Sequence, residues 1–233
     1  IGKKRYNIFM KWLKFLLIPL ILFFVGYMVT LFPINGNNFL PLIAKAFYEQ
    51  TGLDFISQKA VLRIGKDVLF DFQDADINYN KSKKLAHLKN TKMKIPLCSI
   101  LKKNYTVSEI IIDETKTDII LSSTGEFEFL KYVKLANGFQ HPHKIEVKKY
   151  TVSLGKSHKI IGNNFQLKDN KINLKANLYI DNIDKMFIKG VVTNFEKPKI
   201  DIRLKSDSIL LSDVYTFATM FCPQFQKYDI KVL

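Results

Sequence analysis

Three patterns of hydrophobic and polar positions follow one another along the chain. The first is the stretch Trp12–Phe32, WLKFLLIPLILFFVGYMVTLF, which from Phe15 onward is apolar and uncharged. As a helix the uncharged run spans about 27 Å, close to the hydrocarbon thickness of a bilayer. Apolar residues cover all its faces, unlike the single apolar stripe of a helix packed on a soluble core. A transmembrane helix is therefore predicted, with Lys14 snorkelling to the headgroups beside Trp12 and Pro19 tolerated as a kink. The second pattern is short: Leu40, Ile43, Ala44 and Phe47 share one helical face, Asn37 and Asn38 offer N-caps, Pro41 suits the opening turn and Gly52 ends the run. Its polar face is not strongly basic, so its apolar face is expected to plug the end of a β-core rather than lie on a bilayer.

From Leu53 the period becomes two. Val68, Phe70 and Phe72 fall on one face, after which the inward set moves to Ala75, Ile77 and Tyr79. That change of phase predicts a bulge near Gln73 and Asp74. Thr91, Met93 and Ile95 alternate with Lys92 and Lys94 until Pro96 ends the strand, and Leu97–Leu101 makes one apolar turn. YTVSEIIID, carrying Ile110 and Ile112, and TDIILSS read as two strands joined at Glu114 to Lys116; a turn at Thr124-Gly125, aromatic residues Phe127 and Phe129, and a helical segment through Val133 follow. HPHKIEVKKYTVSL opens a second series. Its clearest member alternates Ile172, Leu174, Ala176, Leu178 and Ile180 with polar residues and Tyr179; MFIKGVVTNF follows, then a strand with Ile200, Ile202 and Leu204 inward. Ser212 is placed to cap a last short helix bearing Val214, Phe217, Ala218 and Phe221.

Strand after strand without βαβ spacing implies a mainly β protein built on a largely antiparallel sheet, apolar on one face. A sandwich or barrel would cover that face within the protein. A sheet curled into a trough would leave it open to another apolar body.

The flanks orient the predicted anchor. Lys3, Lys4, Arg5, Lys11 and Lys14 lie in the N-terminal stretch without an acid, whereas 33–39 carry no charge. The positive-inside rule puts the N-terminus in the cytoplasm and the rest across the membrane. The exit at Tyr27–Pro33 lacks the small residues of a cleavage site, which favours an uncleaved anchor over a signal peptide. Three regions result: 1–33, basic tail and anchor; 34–138, first helix and β module; 139–233, second β module ending in a short helix. The start at Ile1 and the strand-like end at Tyr228–Leu233 suggest a piece of a longer protein.

The net charge of +15 raises the possibility of nucleic acid, but arginine supplies only Arg5, Arg63 and Arg203 among 36 basic residues. Planar bidentate recognition of bases and phosphates favours arginine, and the lysines are spread among 21 acids without a compact basic stripe. A nucleic-acid partner is not expected. Cys98 and Cys222 match no metal or redox spacing and read as small buried hydrophobes, although an oxidising compartment would permit them to pair. His141-Pro-His143 reads as an exposed loop, and Asp71, Asp74 and Asp76 as a solvated strand face rather than a cation site. No phosphate loop, nucleophile elbow or triad spacing supports an enzyme, and no cofactor or metal is expected.

One family fits this order. The basic tail and apolar helix, the helix ending in Thr51-Gly52-Leu53, and the segment VLFDFQDADINYN…KLAHLKNTKMKIPLCSILKKNYTVSEIIIDETKTDIILSSTGEFEF together resemble the N-terminal region of AsmA-like proteins, including the TamB type. KPKIDIRLKSDSILLSDVYTF resembles that family's later strand and leucine-rich helix start. The chain departs from the pattern in lacking prolines at Gly65-Lys66 and Asp113-Glu114 and in having Phe129 where a tryptophan is usual. The resemblance implies a single-pass inner-membrane protein whose periplasmic part is a curved, groove-like or taco-like sheet that carries phospholipid between inner and outer membranes and serves outer-membrane homeostasis. It implies the membrane and phospholipid as partners, with possible envelope protein partners. On that reading the groove lining is Phe70, Phe72, Met93, Ile95, Ile110, Ile112, Ile172, Leu174, Ala176, Leu178, Ile180, Ile200, Ile202 and Leu204. The alternative is a structural or assembly factor for outer-membrane proteins with a closed β-sandwich core.

Overall fold

The computed structural model describes residues 21, 24, 26–27, 32–101, 106–122, 126–134, 142–155, 158–181, 183–193, 199–206, 210, 213 and 215. Most of the Trp12–Phe32 run and the Ser212 helix with Val214, Phe217, Ala218 and Phe221 lie outside them. Ile21, Phe24 and Tyr27 are helical and exposed. Among the described residues no helix is long and apolar enough to cross a membrane.

The period-two segments form one open, eleven-stranded sheet, with order β1-β3-β4-β5-β6-β7-β8-β9-β10-β11 and β2 paired to β4 beside β3. The strands are β1 (Ile34–Asn35), β2 (Asp54–Ser57), β3 (Ala60–Ile64), β4 (Asp67–Tyr79), β5 (Lys83–Pro96), β6 (Glu109–Ile119), β7 (Lys144–Leu154), β8 (His158–Lys168), β9 (Lys171–Ile180), β10 (Ile183–Thr193) and β11 (Lys199–Lys205). β4 is long enough to pair with β3 along its first half and β2 along its second. Every ladder is antiparallel except β6–β7, which is parallel and joins the two predicted modules into one sheet.

Helix α1 (Leu40–Thr51) has Pro41 in its first turn and ends at Gly52. Gly52 adopts φ 74°, and its N–H donates to the Tyr48 carbonyl. A Cβ there would also overlap the Tyr132 carbonyl, so both conformation and space call for glycine. The predicted asparagine caps are not used. Asn37 starts a 3₁₀ turn, Asn37–Phe39, and its Oδ1 accepts the Ala60 N–H at 2.8 Å, which ties the helix entry to β3 instead. Leu40, Ile43 and Phe47 of α1 pack on the sheet's apolar face, as do Leu97 and Ile100 of α2 (Leu97–Leu101), so α1 plugs the core as its pattern predicts. Cys98 is exposed on α2 rather than buried, because one short helical turn covers the core with only one side; Cys222 lies outside the described residues.

The change of phase predicted at Gln73 is present, but the bulge is not at that point: the β4–β5 register holds through Gln73 and shifts between Ile77 and Asn78, and the change of phase is part of a longer feature. Pairing skips from Phe72↔Thr91 to Asp74↔Lys89, and then, at the same level, past Asn90 and Asp113, past Asp113 and Lys148, and past Lys148 and Asn164. The parity of inward positions therefore changes together on β4 to β8. Asn90 and Asn164 take positive φ, 50° and 56°, which asparagine tolerates better than most residues. At β8–β9 the mismatch is absorbed by a bulge between Gly162 and Gln166, and β9 keeps its uninterrupted alternation. This feature corrects the reading of two strands around Glu114. β6 is continuous because Asp113 and Glu114 form the step in phase, after which Thr115 and Thr117 take over the inward face. The segment after Phe127 is a 3₁₀ turn, Glu128–Lys131, rather than a longer helix; Phe129, Tyr132 and Val133 cover Leu53, Tyr79 and Leu85.

Candidate functional site

The registers place the apolar positions in rows that run across the strands. One row passes through Ile34, Leu62, Phe70, Met93, Ile110, Ile145, Leu167, Ile172, Val192 and Ile200, with no polar interruption on the main path of the sheet. A second passes through Ala75, Leu88, Thr115, Tyr150, Gly162, Ala176, Ile188 and Leu204. All the predicted lining residues lie on this one face, but their exposure differs. Phe70, Phe72, Ile95, Ile112, Ala176, Leu178 and Ile180 are buried, and Met93, Ile110, Ile172 and Leu174 half-buried. Ile200, Ile202 and Leu204, on β11, are 63%, 57% and 61% exposed. The face is thus a packed core over β4 to β9 and opens at β11.

Aromatic rings close the packed end. Phe72 is 1% exposed and lies edge-on to Phe55 at 5.2 Å and stacked with Phe70 at 6.2 Å, while Phe47 of α1 meets Phe55 at 5.7 Å. At the middle, Tyr150 reaches from β7 across β8 to β9, where its hydroxyl donates to the Lys175 carbonyl at 2.7 Å. Its ring occupies the space a side chain at Gly162 would need. Burial pushes the Tyr150 phenol up to about 12, so it stays a neutral donor. Sequence patterning missed Tyr150 and Gly162 as partners; the signal was a glycine inside a strand pattern, which marks close approach.

The opposite face is polar, and over β4 to β7 its charges alternate by strand. Asp76 of β4 takes Lys84 at 2.9 Å and His87 at 2.8 Å; Glu109 of β6 takes Lys94 at 2.9 Å and Lys144 at 2.8 Å; Asp113 takes Lys148 at 2.7 Å. Hydrogen bonds from Lys144 and then Lys94 hold Glu109 below its ordinary range, and Lys148 does the same for Asp113. Asp74 and Asp76 therefore belong to this paired lattice, and among the described residues no group of three or more histidines, cysteines or carboxylates is placed to hold a metal ion.

Comparisons with family models, with curated proteins and with solved structures give no match.

A histidine also sits on the apolar side. His158, opposite Leu154 and Ile180, is 1% exposed, and burial pushes its pKa below the ordinary 6.5 despite the pull of Asp181 and Asp213. A depressed histidine keeps its full contribution above the unfolded value and loses it as pH falls toward the folded one, because the unfolded chain takes up the proton first. Stability is accordingly expected to decline as pH drops below 6.5. Denaturant titrations at stepped pH check this. His158→Gln, which cannot titrate, should flatten that part of the profile; an unchanged slope would remove His158 as its source.

Proposed function

We propose that the chain is a membrane-anchored lipid-conducting β-sheet protein, in which the apolar face of the curled sheet guides phospholipid tails between inner and outer membranes while headgroups stay at the wet rim. The observation that carries this reading is the unbroken apolar row from β1 to β11, open where Ile200, Ile202 and Leu204 are exposed. Exposing two acyl chains to water costs on the order of 25 kcal/mol for about thirty methylenes, so a carrier needs a continuous apolar surface. The register shifts at Ile77/Asn78, Gly162/Gln166 and Asp184/Met186 support a curved sheet, since bulges bend strands and increase twist. The apolar Trp12–Phe32 run and the resemblance to AsmA-like proteins support a single-pass inner-membrane anchor with the β-region in the periplasm. On this reading the lipid-contacting residues narrow to Leu174, Ile200, Ile202 and Leu204, and the buried lining candidates are the packed base of the groove.

A second reading rests on the edge of β11, which pairs only with β10 among the described residues. An envelope protein adding a strand there would make the chain an assembly factor. Photo-crosslinking in cells with benzoylphenylalanine at 202, 203 and 204 separates the two. Lipid-mass adducts at 202 and 204 but not at 203 are the expected result, because neighbouring strand positions face opposite sides. Protein adducts at all three positions with no lipid would favour the assembly factor and overturn lipid transport.

A further inference from the structure

We propose that the polar face of β8–β11 carries a binding site for a phosphate-bearing anion, centred on Lys175, Lys189 and Arg203. This site is on the side of the sheet opposite the apolar rows and stands independently of the lipid reading.

The register creates it. Lys175 of β9 lies directly opposite Lys189 of β10, which lies directly opposite Arg203 of β11. Adjacent strands are about 5 Å apart, inside a Debye length of about 8 Å at physiological salt, and like charges directly opposed across a ladder destabilise it. The same face over β4 to β7 avoids this arrangement: Lys92 stands opposite Asp71, Lys89 opposite Asp74, and Lys94 and Lys144 share Glu109. Past β7 that alternation stops. The acids near the row are already engaged: Asp201 lies 3.6 Å from Arg203, and Asp184 accepts the Asn177 amide at 2.6 Å. Lys175 and Lys189 make no ion pair among the described residues.

The ground beside the cations is shaped. A hollow of about 450 Å³ is bordered by Asn164, Gln166, Asn173, Lys175 and Lys189, with Leu174, Gly190 and Val191 completing its lining. It lies where the bulge between Gly162 and Gln166 interrupts the β8–β9 ladder, with Asn164 in a positive-φ conformation. Two lysines and three carboxamide residues are among its lining, and Arg203 stands at the end of the row. Ammonium, amide and guanidinium N–H groups are all donors, and an oxyanion is an acceptor on every oxygen. A phosphate monoester, with a charge near −1.5 to −2, matches three neighbouring cations better than a single carboxylate does, and a lipid phosphodiester, with one charge, still offers two unesterified acceptor oxygens. The volume falls within the usual range of small-ligand sites.

The phosphate is that of a soluble compound or of a lipid headgroup, and the test separates these sources. Thermal unfolding of the full chain is measured at constant ionic strength with inorganic phosphate replacing chloride, and, separately, binding is measured to nanodiscs of phosphatidylglycerol against phosphatidylcholine. A rise in melting temperature with inorganic phosphate identifies a soluble source. Selective nanodisc binding without that rise identifies a headgroup. In either case K175Q/K189Q should weaken the response by about tenfold or more. Without ligand the double variant should melt no lower than the parent, because opposed charges are relieved. K92Q, in the neutralised half, should leave the phosphate or nanodisc response intact. The proposal is overturned if neither probe is bound, or if K175Q/K189Q binds as well as the parent.

Discussion

Phe72→Ala is expected to lower the unfolding free energy by about 3–5 kcal/mol, the largest single effect on the apolar face. Phe72 is 1% exposed, its ring is fixed between Phe55 and Phe70, and the surrounding strands are hydrogen-bonded on both sides, so the cavity cannot readily collapse. Ile202→Ala, on the same face but 57% exposed, should change stability by no more than about 0.5 kcal/mol. Urea titrations of both variants measure the contrast. It divides the face into a packed base and an open end; comparable losses at both positions would mean that Ile202 is covered in solution and that β11 offers no free apolar surface.

Gly162→Ala should cost about 3 kcal/mol. The new methyl group would collide with the Tyr150 ring and with the Lys175 carbonyl, so Tyr150 must leave its site and give up its hydrogen bond. Tyr150→Phe keeps the ring and loses only the hydroxyl, and about 1 kcal/mol is expected. The collision predicts coupling: in a Tyr150→Leu background, Gly162→Ala should be milder by about 1 kcal/mol or more, because the ring it strikes is gone. A double-mutant cycle from equilibrium unfolding measures this. Additive losses would place the Gly162 requirement in the backbone rather than in the tyrosine.

Much of the strand facing was legible because it depends only on neighbours in sequence. Ile172 to Ile180 alternate without interruption, and β9 keeps one phase from end to end. Phe72 and Ala75 are both inward, and the sheet changes phase between them. The reading failed where two local explanations were equally good. Asp113 and Glu114 are polar in an apolar run, which suits either a turn or a step in phase within one strand, and the ladders to β5 and β7, with Lys148 paired to Asp113, make it the step. Asn37 could cap a helix or bind a distant strand, and the Ala60 N–H decided that. Lys175, Lys189 and Arg203 each looked like ordinary solvated lysine or arginine on an outward position. Their alignment needs the registers of two hairpins at once.

By itself the sequence determined which residues could face a common apolar side, since the period of two is a property of the extended backbone and survives any choice of neighbour. It also determined where α1 stops, through the left-handed conformation that Gly52 adopts without a Cβ penalty. The tertiary structure alone decided which strands are neighbours, including the parallel β6–β7 pair, and hence which part of the apolar face is packed and which is exposed. It alone set Tyr150 over Gly162 and opposed the three cations. The physical reason is range: alternation is fixed by bonds between consecutive residues, whereas burial and charge opposition arise between side chains that meet only after the ladders have chosen their register.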